Sequence, residues 1–223
     1  MKKTGFIYFL LFVVFLAVPA WAADGKSLVD SNKCGSCHQM KGPAAKTIAE
    51  VLKRKAPDLF YAGNKFNKDW LVGFLQKPVK IRPAGTVYLH HIKTEVDKDV
   101  IVEPPLCASK LSAGDAGAVA DYLMTLKDAS MKTGTAKIGK FSKARAKNLM
   151  YKKEGCNSCH SDPKRGGGVS CPTFAGIGKR LAPDWIYSFL KDPQHWDPKI
   201  WMAKREFSDK DLQLMVNYLS SLK

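Results

Sequence analysis

Apolar residues recur at helical spacing in two stretches of the chain, which begin at Ser112 and Ser208. An aspartate lies three positions after each serine, and this arrangement resembles a capping box with Asp in place of Glu. The alternation of apolar and polar residues that is typical of strands is hardly present. The pattern therefore predicts an all-α protein built of short helices. The apolar faces comprise Ala116, Val119, Ala120 and Leu123 in one stretch, and Leu212, Met215, Leu219 and Leu222 in the other.

A second helical segment, with a tryptophan at its centre, also occurs twice. Trp70 and Trp185 each follow an aspartate, and Pro78 and Pro193 lie eight residues after them. Proline just beyond a periodic stretch marks the end of a helix, so we predict helices over 67–76 and 183–191. The offset between matching residues is 115 at the tryptophans and 96 at the last helices. The first copy therefore carries 19 extra residues, in an insertion at about 84–105.

The repeats indicate two tandem homologous units, which we assign to residues 23–127 and 142–223. Residues 128–141 contain Lys, Gly, Thr and Ala with few large apolar side chains, and this composition predicts a linker. A unit of this size made of short helices has a small core. We therefore expect neither unit to fold stably unless other apolar mass is buried inside it.

The N-terminus has the three parts of a secretory signal peptide. Lys2 and Lys3 precede an apolar run over 5–18, and a small-residue cleavage sequence ends at Ala22. The run is shorter than the ~20 residues of a membrane-spanning helix. We therefore predict a cleaved signal peptide at 1–22 and a periplasmic protein. The alternative is a membrane anchor formed by an uncleaved N-terminal helix.

The chain is strongly basic, with 36 Lys and Arg against 20 Asp and Glu and a formal net charge of +16. Such a surface attracts anionic partners. Export removes nucleic acid from the expected partners and leaves acidic proteins. The excess of positive charge is spread over both units, so it is equally compatible with an ordinary soluble surface and with a docking patch.

A C-x-x-C-H motif occurs once in each unit, at 34–38 and 156–160. It is the attachment motif of c-type haem. Residues i, i+3 and i+4 share one face of a helical turn, so two thiols and one imidazole can hold the same porphyrin. The motif predicts two covalent haems. Their anchors are Cys34 and Cys37 with His38 as iron ligand, and Cys156 and Cys159 with His160.

Two other interpretations of the cysteine pairs are weaker. A zinc site needs no histidine directly after each pair, and zinc-binding pairs usually lie much closer together in sequence. A thioredoxin-like redox motif is expected in a βαβ context, which this chain lacks. The motifs are 122 residues apart, so the first unit also carries 7 extra residues before its tryptophan.

With these features the chain resembles the two-domain dihaem class I cytochromes c over nearly all of its mature length. The resemblance implies that His38 and His160 are proximal iron ligands. It also implies that the Pro172 carbonyl orients His160, with Pro57 as the poorer counterpart in the first unit. The family's distal ligand is a methionine shortly before the last helix, and Met202, five residues before Phe207, is in this position.

The other methionines fit the distal role less well. Met150 and Met215 fall on apolar helix faces and are expected in the core. Met40 lies two residues after the first motif, and Met131 lies in the linker. His195, seven residues before Met202, is expected to be a loop residue near the haem edge.

The first unit departs from the family pattern on its distal side. The positions that match Met202 are Leu106, counted back from Leu111, and Val87, counted forward from Pro78, and neither side chain binds iron. Three alternatives remain for this haem. They are a histidine, with His91 preferred to His90; a thiolate from Cys107; and an iron that is five-coordinate or binds water.

Cys107 and Cys171 are the two cysteines outside the motifs. In an oxidising compartment they are candidates for a disulfide. Such a bond would join the two units and would exclude Cys107 as an iron ligand.

These features favour an electron-transfer protein that passes single electrons between acidic respiratory partners such as an oxidase, a reductase or another cytochrome. Methionine ligation raises a haem's potential, so we expect electrons to enter at the first haem and leave from the second. One alternative is a dihaem enzyme whose reactive first haem acts on peroxide or a small sulfur or nitrogen compound. Another is a subunit of a larger membrane-associated respiratory complex.

Overall fold

The structure, a computed structural model, describes residues 24–223, and the predicted signal peptide lies outside this range. No helix of the described part is long and apolar enough to cross a membrane. The first unit contains five α-helices, α1 (Gly25–Ser31), α2 (Ile48–Leu52), α3 (Ala62–Lys65), α4 (Lys68–Gln76) and α5 (Ala113–Thr125). The second contains α6 (Lys143–Lys147), α7 (Ile177–Arg180), α8 (Pro183–Lys191), α9 (Pro193–Trp196) and α10 (Asp209–Ser220).

Each unit has its own apolar cluster, built around its last helix. Helix α5 packs against α1 and α4 in the first unit, and α10 packs against α6 and α8 in the second. The buried faces are those that the periodicity predicts, Ala116, Val119, Ala120 and Leu123 in α5, and Leu212, Met215 and Leu219 in α10. Met150 and Met215 are both buried in the second cluster, as expected.

The predicted starts of the last helices are confirmed. The Oγ atoms of Ser112 and Ser208 accept hydrogen bonds from the backbone N–H groups of Asp115 (3.2 Å) and Asp211 (3.1 Å). The aspartate side chains accept from the serine hydroxyls in return, at 2.9 Å and 2.8 Å. The shorter Asp side chain therefore binds the cap's hydroxyl, whereas the Glu of a capping box binds the cap's backbone N–H.

The repeat extends to individual backbone contacts. A Cβ atom on Gly63 would lie 2.1 Å from the Met124 carbonyl oxygen, and one on Gly178 would lie 2.2 Å from that of Ser220. Both glycines also donate a backbone hydrogen bond, to Leu126 (2.8 Å) and to the last-but-one residue, Leu222 (2.9 Å). Only glycine permits this approach of α3 to α5 and of α7 to α10.

The extra residues of the first unit form elements that the second unit lacks. The 7 extra residues before the tryptophan lie between the first motif and Pro57, in the segment that contains α2. The insertion contains a 3₁₀ turn (Tyr88–His90) and an antiparallel hairpin of β1 (Ile92–Glu95) and β2 (Lys98–Ile101), in which Ile92 pairs with Ile101. The prediction of an all-α protein is therefore right for both helical cores and wrong for the insertion. Four-residue strands are too short for a clear alternation of apolar and polar residues.

The two units meet through equivalent backbone segments. Phe66 and Leu181, which are 115 residues apart, form an antiparallel bridge. The N–H of Asn67 donates to the Arg180 carbonyl (3.0 Å), and the N–H of Ala182 donates to the Lys65 carbonyl (2.9 Å). Asn67 and Ala182 are repeat counterparts, and so are Lys65 and Arg180. Each unit therefore donates one hydrogen bond to the other at equivalent positions. This reciprocity is that of an isologous, two-fold interface.

Aromatic rings and a buried ion triad flank this bridge. The Tyr61 ring of the first unit lies 4.9 Å from Trp185 and 5.9 Å from Trp196, and all three side chains are buried. Arg54 bridges two carboxylates, Asp58 in its own unit at 3.0 Å and Asp197 in the second unit at 2.6 Å. The contact between the units is therefore partly apolar and partly ionic.

The predicted linker contains no helix or strand, but it is bound along the second unit. The Asp184 carboxylate accepts from the N–H groups of Gly134 and Ala136, both at 2.8 Å. The Asn217 side chain accepts from Gly139 (2.7 Å) and donates to Lys137 (2.8 Å). The segment 134–139 therefore belongs structurally to the second unit.

Asp184→Asn is expected to destabilise the second unit by about 1 kcal/mol at neutral pH, because its backbone donors lose a charged acceptor. Burial opposes ionisation of Asp184, but the N–H donors of Ala136 and Gly134 outweigh it and hold the pKa below its ordinary value of 3.8. This contribution is complete above the unfolded-state pKa and is lost as the pH falls through the folded-state pKa. Denaturation midpoints measured from pH 7 to pH 3 should therefore fall less steeply in the variant.

The matched control is Asp69→Asn, because Asp69 is the repeat counterpart of Asp184 and is exposed. We expect this variant to retain the pH dependence of the parent protein. An equal loss of pH dependence in both variants would contradict the role of the linker contacts.

Candidate haem-binding sites

Both C-x-x-C-H motifs adopt the same tight turn. The turns are 3₁₀ helices at Cys34–Ser36 and Cys156–Ser158, each preceded by a left-handed residue, Lys33 (φ 53°) or Gly155 (φ 62°). The N–H groups of His38 and His160 donate to the carbonyls of Cys34 (3.0 Å) and Cys156 (3.1 Å). These bonds close one helical turn and bring the two cysteines and the histidine of each motif to one side of the backbone.

The motif histidines are both bound to proline carbonyls. His38 Nδ1 lies 2.7 Å from the Pro57 oxygen, and His160 Nδ1 lies 2.6 Å from the Pro172 oxygen. A carbonyl only accepts, so each Nδ1 carries the proton and each Nε2 keeps its lone pair for a metal. Pro57 and Pro172 are 115 residues apart, so they are strict repeat counterparts. Pro57, the poorer match by sequence, makes the same contact as Pro172.

Burial favours the neutral form of both histidines. It lowers the pKa of His38 and of His160 below the ordinary value of 6.5, although the hydrogen bond to the proline carbonyl acts in the opposite direction. Only neutral imidazole can bind a metal. The ring of His160 also stacks on Phe174, with centroids 4.7 Å apart and planes 11° apart. The repeat counterpart of Phe174 is Leu59, which has no aromatic ring. The stacking on the motif histidine therefore differs between the units.

The two cysteines of each motif differ in their exposure to solvent, and they do so in the same way in both units. The first thiol of each pair, Cys34 or Cys156, is half-buried, and the second, Cys37 or Cys159, is exposed. Burial raises the pKa of Cys34, with a further contribution from Cys107, and raises that of Cys156 to about 11. Both buried thiols are therefore protonated at neutral pH. The exposed second thiol is the more accessible one in each unit.

The two additional cysteines lie near different motifs, and all six cysteines are free thiols. Cys171 donates its N–H to the Cys159 carbonyl at 3.1 Å. Cys107 lies near Cys34 and contributes to the raised pKa of that thiol. The structure therefore does not contain the disulfide between Cys107 and Cys171 considered above.

Met202 lies in the irregular segment that connects α9 with α10. Its side chain is partly buried, and its backbone carbonyl accepts a 2.6 Å hydrogen bond from Gln194 Nε2. Lys204, two residues later, forms an ion pair with Asp192 at 2.8 Å. These contacts fix the backbone around Met202 against the start of α9. His195, predicted to be a loop residue, lies in α9 instead; it is exposed, and its Nε2 lies 2.9 Å from Ser130 Oγ.

The distal candidates of the first unit occupy different parts of the insertion. His90 is exposed in the 3₁₀ turn, and the partly buried ring of His91 packs against Gly85 and Pro104 at the base of the hairpin. Cys107 is partly buried in the irregular segment before α5. Two hydrogen bonds to the Leu75 carbonyl hold this segment on α4, from Ser109 Oγ (2.6 Å) and from the Leu111 N–H (3.2 Å).

Three cations lie at the boundary between the units without a carboxylate partner. Lys65, Arg82 and Arg180 form no ion pair with the acidic side chains of residues 24–223, whereas Arg54 beside them forms two. Arg180 is only 5% exposed and donates to the Thr173 carbonyl at 3.1 Å. Lys65 Nζ lies 5.2–5.6 Å from the ring centroids of Tyr61, Phe66 and Trp185.

Burial disfavours the charged form of these cations. It lowers the pKa of Lys65 to about 7 and that of Arg180 to about 10, and the charge of Arg82 lowers both further. Buried cations of this kind require an anion. The carboxylates of haem are suitable anions, so these residues fit the group that the motifs predict. Sequence reasoning did not find this cluster, although Lys65 and Arg180 are repeat counterparts and both are basic.

Comparison with known protein families agrees with the repeat. The family model described as cytochrome c matches the chain twice, over residues 22–127 and 144–223. Searches of curated proteins and of solved structures find no match. Each match covers one motif, one histidine–proline contact and one terminal helix, and together they cover most of the chain. The protein is therefore a member of the cytochrome c family, with one cytochrome c match in each of its two units.

Proposed function

We propose that this protein is a periplasmic dihaem electron carrier that passes single electrons between respiratory redox partners. Family membership implies covalently attached haem iron and electron transfer. The observation that supports two such groups is the duplicated contact of His38 with Pro57 and of His160 with Pro172. Haem iron supplies one-electron chemistry between its ferric and ferrous states. The chain's residues hold the group, exclude water from it and set its potential.

We assign Met202 as the distal ligand of the second haem. The hydrogen bond from Gln194 to its backbone supports this assignment, because it limits the positions that the side chain can reach. For the first haem, sequence reasoning prefers His91, with His90 and Cys107 as alternatives. The proximity of Cys107 to the anchoring thiol of Cys34 supports Cys107. Ligation by a histidine or by Cys107 gives the first haem the lower potential, because thioether ligation raises the potential of the second.

The assignment is tested by EPR spectroscopy of the oxidised full-length protein with both haems attached. We expect two low-spin centres in the parent protein, one of them the His/Met centre. Met202→Leu should convert that centre to high spin and leave the other unchanged. The first centre should change in only one of the variants His90→Ala, His91→Ala and Cys107→Ala. Loss of the first centre's signal in Met202→Leu would contradict the assignment of ligands to units.

A second candidate function is a dihaem enzyme that reduces peroxide or oxidises a small sulfur or nitrogen compound. The position of Cys107 favours it, because a thiolate at a haem supports chemistry beyond electron transfer. Steady-state turnover with these substrates distinguishes the functions. A carrier shows no saturable turnover, whereas an enzyme shows turnover that Cys107→Ala abolishes.

A further inference from the structure

Each unit extends one segment across the boundary to the loop that orients the other unit's motif histidine. We call the loops that carry Pro57 and Pro172 the proximal loops. Arg82 and Asp197 are 115 residues apart and each directly precedes a proline, so they are repeat counterparts with opposite charges. We propose that Arg82 raises the potential of the second haem and that Asp197 lowers the potential of the first. The proposal rests on the dihaem function proposed above, but it does not depend on Met202 as a ligand.

The backbone around Arg82 is hydrogen bonded to the second unit's proximal loop. On one side, the carbonyl of Ile81 accepts from the N–H of Thr173 at 2.9 Å. On the other side, the N–H of the fully buried Ala84 donates to the Val169 carbonyl at 3.3 Å. These two bonds fix Arg82, a residue of the first unit, beside the loop that orients the motif histidine of the second.

Two cations act on that histidine. Arg180 donates to the Thr173 carbonyl of the proximal loop at 3.1 Å. Burial is the main cause of the lowered pKa of His160, and the charges of Arg82 and Arg180 lower it further. Neither cation forms an ion pair within residues 24–223. Their positive charges therefore act on the side chain that we expect to bind the iron of the second haem.

The equivalent segment of the second unit brings negative charge to the first proximal loop. The Asp197 carboxylate binds Arg54 Nη1, in the segment before Pro57, at 2.6 Å. Arg54 Nη2 also binds the carboxylate of Asp58, directly after Pro57, at 3.0 Å. Both aspartates are buried. One guanidinium is thus shared by two buried carboxylates, which leaves one negative charge in excess beside this loop.

The sign of the nearby charge determines which oxidation state of iron is favoured. Ferric iron carries one more positive charge than ferrous iron, so a cation opposes oxidation and an anion favours it. Buried charges are poorly screened by solvent, which strengthens this effect. Burial is the main cause of the lowered pKa of His38, and the charges of Asp58 and Lys65 act on it in opposite directions. The two cations that act on His160 reinforce each other, so the second haem is the more easily reduced. In the step that this difference drives, one electron passes from the first haem to the second, and no bond is made or broken.

The test is an EPR-monitored redox titration of the full-length dihaem protein, in which the two low-spin centres are followed separately. We expect Arg82→Gln to raise the ratio of oxidised to reduced second haem at a fixed solution potential about tenfold, which is about 59 mV for one electron. Arg82→Lys should retain most of the parent value, because the charge remains. Asp197→Asn should lower the same ratio for the first haem by about threefold, because one carboxylate remains beside Arg54.

The matched control is Lys80→Gln. Lys80 lies two residues before Arg82, but its side chain is 37% exposed and pairs with Glu103. Water and salt screen an exposed charge, so both haems should titrate as they do in the parent protein.

An unchanged second haem in Arg82→Gln would overturn the proposal, as would equal shifts of both haems. A shift that is as large in Arg82→Lys would also overturn it, because packing and not charge would then be the cause. If Arg82→Gln does not fold with both haems, Asp197→Asn decides, since an unchanged first haem contradicts the proposal. Failure of the dihaem function itself is recognised separately, because the mass of the parent protein would then show fewer than two attached haems.

Discussion

His160→Ala is expected to remove the low-spin signal of the second haem and to unfold the second unit at temperatures that the parent protein tolerates. The imidazole has two functions in the structure. Its Nδ1 is bound to the Pro172 carbonyl at 2.6 Å, and its ring stacks on Phe174. Its Nε2 is left for iron. The variant therefore loses the proposed iron ligand and also the contacts that hold the loop before α7 against the motif.

The expected loss is more than about 4 kcal/mol, because the variant loses a bond between protein and metal together with buried contacts. We expect the second unit to depend on the haem because its own core is small: eleven buried residues form the apolar cluster. The measurement is thermal unfolding followed by Soret absorbance and by circular dichroism. The absorbance reports the haem environment, and the dichroism reports the helices.

The control for this variant is His195→Ala, because His195 is an exposed histidine of the same unit. We expect it to keep the spectrum and nearly all of the stability of the parent protein. If His160→Ala retained a low-spin second haem, the proximal assignment would be wrong. If it lost only the signal and unfolded normally, the bond between His160 and iron would contribute less to the fold than we expect.

Tyr61→Ala is expected to separate the unfolding of the two units. The Tyr61 ring is 3% exposed and contacts Trp185 and Trp196 of the second unit with centroid distances of 4.9 Å and 5.9 Å. Truncation of a buried aromatic residue typically costs about 3–5 kcal/mol. Most of this loss should fall on the contact between the units, because two of the three neighbouring rings belong to the other unit. The third is Phe60, at 4.5 Å.

Urea denaturation followed at the Soret band and by tryptophan fluorescence measures this effect. The parent protein should unfold in one transition and Tyr61→Ala in two. Tyr88→Ala serves as the control, because Tyr88 lies in the insertion and its hydroxyl makes only a long, 3.4 Å contact with Asp99. A single transition at lower urea for Tyr61→Ala would show that the units remain coupled without the ring.

The sequence predicts the local features of this structure well because each depends on nearby residues. The motif turns need only five residues, and the caps at Ser112 and Ser208 need four. The middle helices, predicted over 67–76 and 183–191, lie at Lys68–Gln76 and Pro183–Lys191. Helix α6 is less regular than these, because it continues as a π-helix at Asn148–Lys153.

The features that sequence reasoning missed depend on residues far apart in the chain. The hairpin of the insertion is stabilised by pairing between two short polar strands, which leave no periodic pattern. The cluster of Lys65, Arg82 and Arg180 is formed only when the two units meet. Basic residues in an already basic chain are not distinctive, so the clustering of these three side chains could not be inferred from their spacing.

The reciprocal hydrogen bonds at Phe66 and Leu181 have a consequence for the origin of the chain. An edge that binds its own repeat counterpart is the edge by which identical subunits form a symmetric homodimer. The linker converts that association into an intramolecular one, so the pair persists at any protein concentration. Fusion also releases the partners from the requirement to be identical. One copy could then acquire the hairpin of the insertion, which the other copy lacks.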